Sequence, residues 1–183
     1  MKIVRIAVPL ILGSLILLQT ACNTRKDEPP PVVPNDSLRL VDTSGIHMEW
    51  TTVAGAMMVK ISAPTTGWIA AGFDPGIGMQ DANILIGYVK NDKAYMEDDY
   101  GSGPSSHAPD VGGGGTDDIT VIIGHETAGR TELQFIIPLD SGDGRDRKLT
   151  VGEIYKVILA YGEDNADDFT SYHKFRIVVD VKI

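Results

Sequence analysis

The stretch Lys174-Phe175-Arg176-Ile177-Val178-Val179-Asp180-Val181-Lys182-Ile183 at the end of the chain decides the fold class. Its apolar residues recur at every second position, and charged residues fill the positions between them, with Val178 as the exception. A period of two is typical of a strand that buries one face and exposes the other. The stretch therefore predicts a half-buried antiparallel β-strand.

Similar patterns occur upstream of this strand, and helical patterns are scarce. Apolar residues alternate or cluster in six further segments, at residues 57–61, 68–73, 82–90, 119–123, 133–137 and 155–161. Gly, Asn, Asp and Pro separate these segments, and Asn91-Asp92 is a plausible hairpin turn. Short strands divided by turn formers predict an all-β protein with two antiparallel sheets packed as a sandwich. The glycine-rich segment 101–117 is expected to be a long loop, either functional or disordered.

The N-terminus has the pattern of a secretory signal. Lys2 and Arg5 precede an apolar run over residues 6–18, and small or polar residues then lead to Cys22. The run is short for a bilayer span, which takes about 20 residues. We expect residues 1–21 to be a lipoprotein signal peptide, with a non-cleaved membrane anchor as the alternative.

Cys22 is the only cysteine, so the chain has no internal disulfide. It resembles the lipid-modified cysteine of bacterial lipoproteins, although Gln19 stands where leucine is usual. Residues 22–36 are rich in proline, which favours an extended and semi-rigid tether. We therefore expect a lipid anchor at Cys22, a tether over 22–36 and one domain over 37–183, held at a bacterial membrane on the periplasmic or cell-surface side.

Charge and motifs exclude several classes of function. The net charge is −9, which argues against nucleic acid as a partner and suits a basic partner or simple solubility. Motifs of serine hydrolases, zinc proteases and phosphate-binding loops are absent, so we do not expect an enzyme. Asp140, Asp143 and Asp146 resemble part of a calcium loop but lack its remaining ligands, which favours ordinary turn-forming acids.

Met79 and His173 are the candidate metal ligands. Met79 lies in the glycine-rich sequence Gly76-Ile77-Gly78-Met79, just before the segment 82–90. His173 has the parity of Phe175, so an uninterrupted strand would turn it to the apolar side. A methionine often fills gaps in a core, and a buried histidine is often structural. The residues alone leave packing and axial ligation of a haem iron both open.

A set of short motifs carries a resemblance to a known family. The motifs are Gly67-Trp68-Ile69-Ala70-Ala71-Gly72-Phe73, Gly78-Met79, residues 82–88, Asp99-Tyr100-Gly101, Pro138-Leu139, Gly142-Asp143 and Ala160-Tyr161-Gly162 followed by His173. In this order they resemble the DOMON family, which includes the haem b cytochrome domain of cellobiose dehydrogenase. The resemblance implies an immunoglobulin-like β-sandwich. It also implies that Met79 and His173 ligate haem b.

The resemblance leads to one preferred function and two alternatives. With both axial positions of the iron filled, haem b would pass single electrons to a redox partner protein. Noncovalent haem fits the absence of Cys-x-x-Cys-His. Candidate walls of the haem pocket are Trp68, Phe73, Tyr100 and Phe175, with ordinary core packing as the alternative for all four and the favoured one for Trp68 and Phe175. The alternatives are a carbohydrate-binding module using Tyr100, Asp99 and Asp110, and an adhesion or scaffold module with no small ligand.

Overall fold

The computed structural model describes residues 39–183, which form eleven β-strands and one short 3-10 helix. The strands are β1 (Arg39–Thr43), β2 (Ile46–Val53), β3 (Ala56–Ala63), β4 (Ile69–Phe73), β5 (Asn83–Lys90), β6 (Lys93–Gly103), β7 (Ser106–Pro109), β8 (Thr120–Thr127), β9 (Arg130–Pro138), β10 (Ile154–Gly162) and β11 (His173–Lys182). The 3-10 helix is Asp110–Gly113. Within residues 39–183 no helix has the length and apolar character needed to cross a membrane.

The strands form two antiparallel sheets. One has five strands in the order β1-β2-β3-β9-β8, and the other has six in the order β11-β10-β4-β5-β6-β7. The prediction of an all-β antiparallel sandwich is confirmed. Asn91 and Asp92 both have positive φ, 51° and 58°, as a two-residue turn between β5 and β6 requires.

The main core lies between the two sheets and follows the alternation of the strands. Every second residue of each central strand points inward, and the largest fully buried side chains include Phe73, Leu85, Phe135 and Leu159. These residues come from both sheets, so burying them holds the sheets together. The other face of the six-stranded sheet, called here the outer face, is the one turned away from the five-stranded sheet.

Two segments differ from the sequence-based expectation. Strand β8 exists, but Val121, Ile122 and Ile123 are each 41–44% exposed, because β8 is an edge strand with a bulge between Val121 and Ile123. The segment 101–117 is not one long loop. It holds the end of β6, the strand β7 and the 3-10 helix.

The predicted signal peptide, the predicted lipidation site Cys22 and the whole predicted tether over 22–36 lie outside the described residues. They remain predictions from the sequence.

Candidate functional site

The outer face of the six-stranded sheet carries a second apolar cluster, separate from the main core. Its buried members are Trp68, Ala70, Ala82, Ile84, Ile86 and Ala160, which come from strands β4, β5 and β10 and their ends. Where β10 pairs with β4, Ala160 lies opposite Ala70. Three of the six buried members are alanines, whose side chains project little from the sheet.

Met79 lies at one border of this cluster and packs against it. Its loop connects β4 to β5 and leans on the β6–β7 hairpin, where the Met79 N–H donates to the Pro104 carbonyl at 3.2 Å. Two glycines allow this close approach. A Cβ on Gly78 would overlap the Pro104 carbonyl, and a Cβ on Gly101 would overlap the Met79 carbonyl. The Gly-Met and Asp-Tyr-Gly motifs of the sequence thus meet to fix the position of Met79.

His173 lies at the first position of β11, and a bulge decides which face it joins. Tyr161 pairs with Phe175, but the next pair joins Gly162 to His173, so Lys174 is an extra residue in the ladder. Residues paired across two strands share a face. His173 therefore lies on the outer face with Gly162. The expectation that an uninterrupted strand would turn His173 to the core side does not apply here, because the bulge interrupts the ladder.

Trp68 connects this histidine to the apolar cluster. The indole ring covers Gly162 so closely that a Cβ there would lie 2.5 Å from Trp68 Nε1. Trp68 Nε1–H donates to Ser171 Oγ at 2.9 Å, just before His173 in the chain. Met79 and Trp68 belong to one cluster, and Trp68 rests on the residue paired with His173. Met79 and His173 thus border the same outer face.

The environment of His173 favours the neutral imidazole. Burial, followed by the charge of Arg176, lowers the pKa of His173. The ring also lies against that of Tyr172, with centroids 4.1 Å apart. A neutral imidazole offers the nitrogen lone pair that a metal requires.

The loop between β10 and β11 covers part of the outer face. Ala166 and Phe169 pack against the apolar cluster, and the Trp68 N–H donates to the Ala166 carbonyl at 3.0 Å. Asp168 organises the loop by accepting backbone hydrogen bonds from Thr170 at 2.7 Å and Ser171 at 2.6 Å. Phe169 is an aromatic contact that the sequence analysis missed, because the sequence of its loop shows no strand or family motif.

Of the four predicted pocket walls, only Trp68 lies on this face. Phe73 is fully buried in the main core, and Phe175 packs against that core with its ring 5.6 Å from that of Tyr161. Tyr100 carries the Arg145 guanidinium over its ring at 4.3 Å, beside the segment 110–118. Phe73 and Phe175 therefore lie on the core side of their strands, and Tyr100 lies beside the segment 110–118, so none of the three is on the face that Met79 borders.

The acids proposed for sugar binding are also not where a surface ligand would reach them. Asp99 is 1% exposed and pairs with His107, which is half-buried on β7. Asp110 is 0% exposed. Burial of these carboxylates argues against the carbohydrate site expected from Tyr100, Asp99 and Asp110.

The architecture and this face define a class of protein, a two-sheet antiparallel β-sandwich in which a thioether and an imidazole border one apolar sheet face. The DOMON domain family matches residues 42–162, and the chain belongs to that family.

Two solved structures are similar in fold. The cytochrome domain of Myriococcum thermophilum cellobiose dehydrogenase is 13% identical with a TM-score of 0.60, over 80% of this chain and 81% of that chain. The cytochrome b domain of pyranose dehydrogenase from Coprinopsis cinerea is 10% identical with a TM-score of 0.57, over 74% of this chain and 75% of that chain.

Proposed function

We propose that this domain is a b-type cytochrome, in which Met79 and His173 ligate haem b and single electrons pass to and from a redox partner protein. The observation that carries the proposal is the bulge opposite Gly162, which assigns His173 to the face that Met79 borders. Family membership and the fold shared with two cytochrome domains support it.

The residues present fit this cofactor. A methionine sulfur and a neutral histidine nitrogen are the ligand pair of many cytochromes, and the cluster that Met79 packs against includes three alanines, which leave room for a planar group. Met79 and His173 would hold the group, which would supply one-electron exchange and no oxygen chemistry. The thioether favours the ferrous state relative to a second nitrogen ligand.

The chain's own residues would hold and shield the group. The Met79 loop is fixed by its backbone hydrogen bond to Pro104, and the 163–172 loop, with Phe169, would shield the part of the outer face that it covers. Arg176 is the cation whose charge acts on His173, and it is the candidate partner for an anionic group of the cofactor. Such residues bind, orient and insulate, so the domain itself would carry out no bond-making chemistry.

An absorption spectrum tests the proposal. The full-length protein is expressed in a haem-sufficient host, and the isolated protein is also mixed with hemin. We expect a Soret band that sharpens and shifts on reduction with dithionite, typical of a six-coordinate low-spin haem. Colourless protein that gains no such band with hemin would contradict the proposal and favour a sugar-binding or scaffold module, which glycan-array binding would then distinguish.

We also propose that the chain is a lipoprotein anchored through Cys22 in a bacterial cell envelope. The charged start, the apolar run and the position of Cys22 support this. Detergent phase partitioning of the wild-type protein and of Cys22→Ser tests it. The wild-type protein should enter the detergent phase and the variant should not, and equal partitioning of the two would contradict the anchor.

A further inference from the structure

Three aspartates from distant parts of the chain meet away from the outer face. Asp98 lies on β6 and pairs with the core residue Leu85, so it faces inward. Asp110 is the first residue of the 3-10 helix, and Asp146 belongs to the segment between β9 and β10. One carboxylate oxygen of each lies within 4.8 Å of the other two. This spacing matches oxygens that share one cation.

Asp98 and Asp110 are buried and Asp146 is half-buried, and at least one carboxylate oxygen of each is buried without a hydrogen-bond partner. Asp110 is 0% exposed and neither of its oxygens accepts a hydrogen bond, while Asp98 is 4% exposed with Oδ1 unpaired. Asp146 Oδ1 is also buried without a partner. Unpaired charges are expensive to bury, so this arrangement requires protons or a cation.

Hydrogen bonds hold the loops around the three aspartates in place but leave several of the carboxylate oxygens without a partner. Asp143 accepts the backbone N–H groups of Thr116, Arg145 and Asp146 at 2.9, 2.7 and 3.2 Å. The Asp118 N–H donates to Asp98 Oδ2 at 3.0 Å. These bonds fix two loops around the unpaired oxygens. Asp118 and Asp143 form a second group that shares Asp146.

The basic side chains of the same segment bind elsewhere. Arg145 donates to the Gly113 carbonyl at 3.0 and 2.8 Å, and Lys148 pairs with Asp140 at 2.6 Å. Arg147 approaches Asp74 at 3.7 Å. Among residues 39–183, no lysine or arginine forms an ion pair with Asp98, Asp110 or Asp146, and the charge of Arg145 acts on Asp110 without a direct contact.

We propose that Asp98, Asp110 and Asp146 bind one Ca²⁺ ion. The ligands are all carboxylate oxygens, which hard cations prefer, and neither histidine nor cysteine belongs to either group. Ca²⁺ accepts the irregular oxygen arrangements that loops provide, whereas Mg²⁺ requires a near-octahedral one. The ion would join β6 to the segments 110–118 and 140–148. Asp140, which the sequence placed in a partial calcium loop, is outside the site.

The first experiment uses the full-length protein treated with EDTA and then desalted. Titration calorimetry with CaCl₂ should show about one ion per chain, and Ca²⁺ should raise the Tm at neutral pH. Mg²⁺ should raise the Tm by less than the same concentration of Ca²⁺. No heat and no change in Tm at millimolar Ca²⁺ would overturn the proposal, as would equal or greater stabilisation by Mg²⁺.

Variants distinguish a cation site from acids that only share protons. Asp110→Asn and Asp98→Asn keep the side-chain shape but remove charge, so each should be more stable than wild type in EDTA. In the presence of Ca²⁺ each variant should instead be less stable than wild type. The affinity of each variant for Ca²⁺ should be at least tenfold lower than that of wild type. Asp140→Asn is the matched control and should behave as wild type. A wild-type response of Tm to Ca²⁺ in both cluster variants would overturn the proposal, whether or not the protein binds haem.

Discussion

His173 lies opposite Gly162 in the β10–β11 ladder, although the preceding pair joins Tyr161 to Phe175. The extra residue, Lys174, is held beside the bulge by an ion pair with Glu163 at 3.2 Å. Because of this one inserted residue, the imidazole of His173 lies on the side of the sheet that Met79 borders and not on the core side.

Replacing each proposed ligand should change the haem spectrum in a different way. We expect Met79→Ala to keep part of its haem but to become high-spin or to bind external ligands such as CO. His173→Ala should lose most of its haem, because the imidazole is the stronger ligand. Absorption spectra with and without CO measure both effects. Met58→Ala and His125→Ala, on the five-stranded sheet, are the controls. Unchanged spectra in both ligand variants would refute the axial assignment.

Substituting Gly101 should disturb Met79 through the backbone. The new Cβ in Gly101→Ala would overlap the Met79 carbonyl, which accepts the Ala82 N–H at 3.1 Å. Overpacking of this kind costs about 1–3 kcal/mol, measurable as a lower free energy of unfolding in urea. Any bound haem should shift toward the spectrum of Met79→Ala.

The control for this variant is Gly112→Ala, since a Cβ on Gly112 meets nothing within 4 Å. Equal stability of the Gly101 and Gly112 variants would show that the hairpin does not constrain the Met79 loop.

Substituting Gly162 should act at the other border of the face. In Gly162→Ala the methyl group would enter the space of the Trp68 indole and displace it from Ser171. We expect a loss of about 1–3 kcal/mol in urea unfolding and an altered tryptophan emission spectrum. A variant with wild-type stability and emission would contradict the close contact described between Trp68 and Gly162.

The metal-free protein should become less stable as the pH rises. Burial raises the pKa of Asp98 to about 8, and burial with the charge of Asp146 raises that of Asp110 to about 7. An unfolded aspartate has a pKa of about 3.9, so between that value and the native values the folded state holds more protons. The free energy of unfolding then falls with increasing pH.

Urea unfolding in EDTA between about pH 5 and about pH 8.5 checks this prediction. Replacing both residues, as Asp98→Asn with Asp110→Asn, should flatten the profile over that range. A wild-type slope in the double variant would assign the pH dependence to other groups.

Much of the fold could be predicted because it depends on local patterns. The alternation in residues 174–183 and the Asn91-Asp92 turn are properties of neighbouring residues, and both gave the observed strands and hairpin. Val121 and Ile123 show what the sequence pattern could not predict. Their exposure follows from the position of β8 at a sheet edge and not from its sequence.

By itself, the sequence determined that the chain is a β-sandwich and which side chains can offer a sulfur and an imidazole. The tertiary structure decided that His173 turns outward, that Phe73 and Phe175 turn inward, and that Asp98, Asp110 and Asp146 meet in one cluster. The physical reason is that side-chain alternation is fixed within one strand. Register, bulges and the desolvation of a carboxylate depend instead on segments that are far apart in the chain.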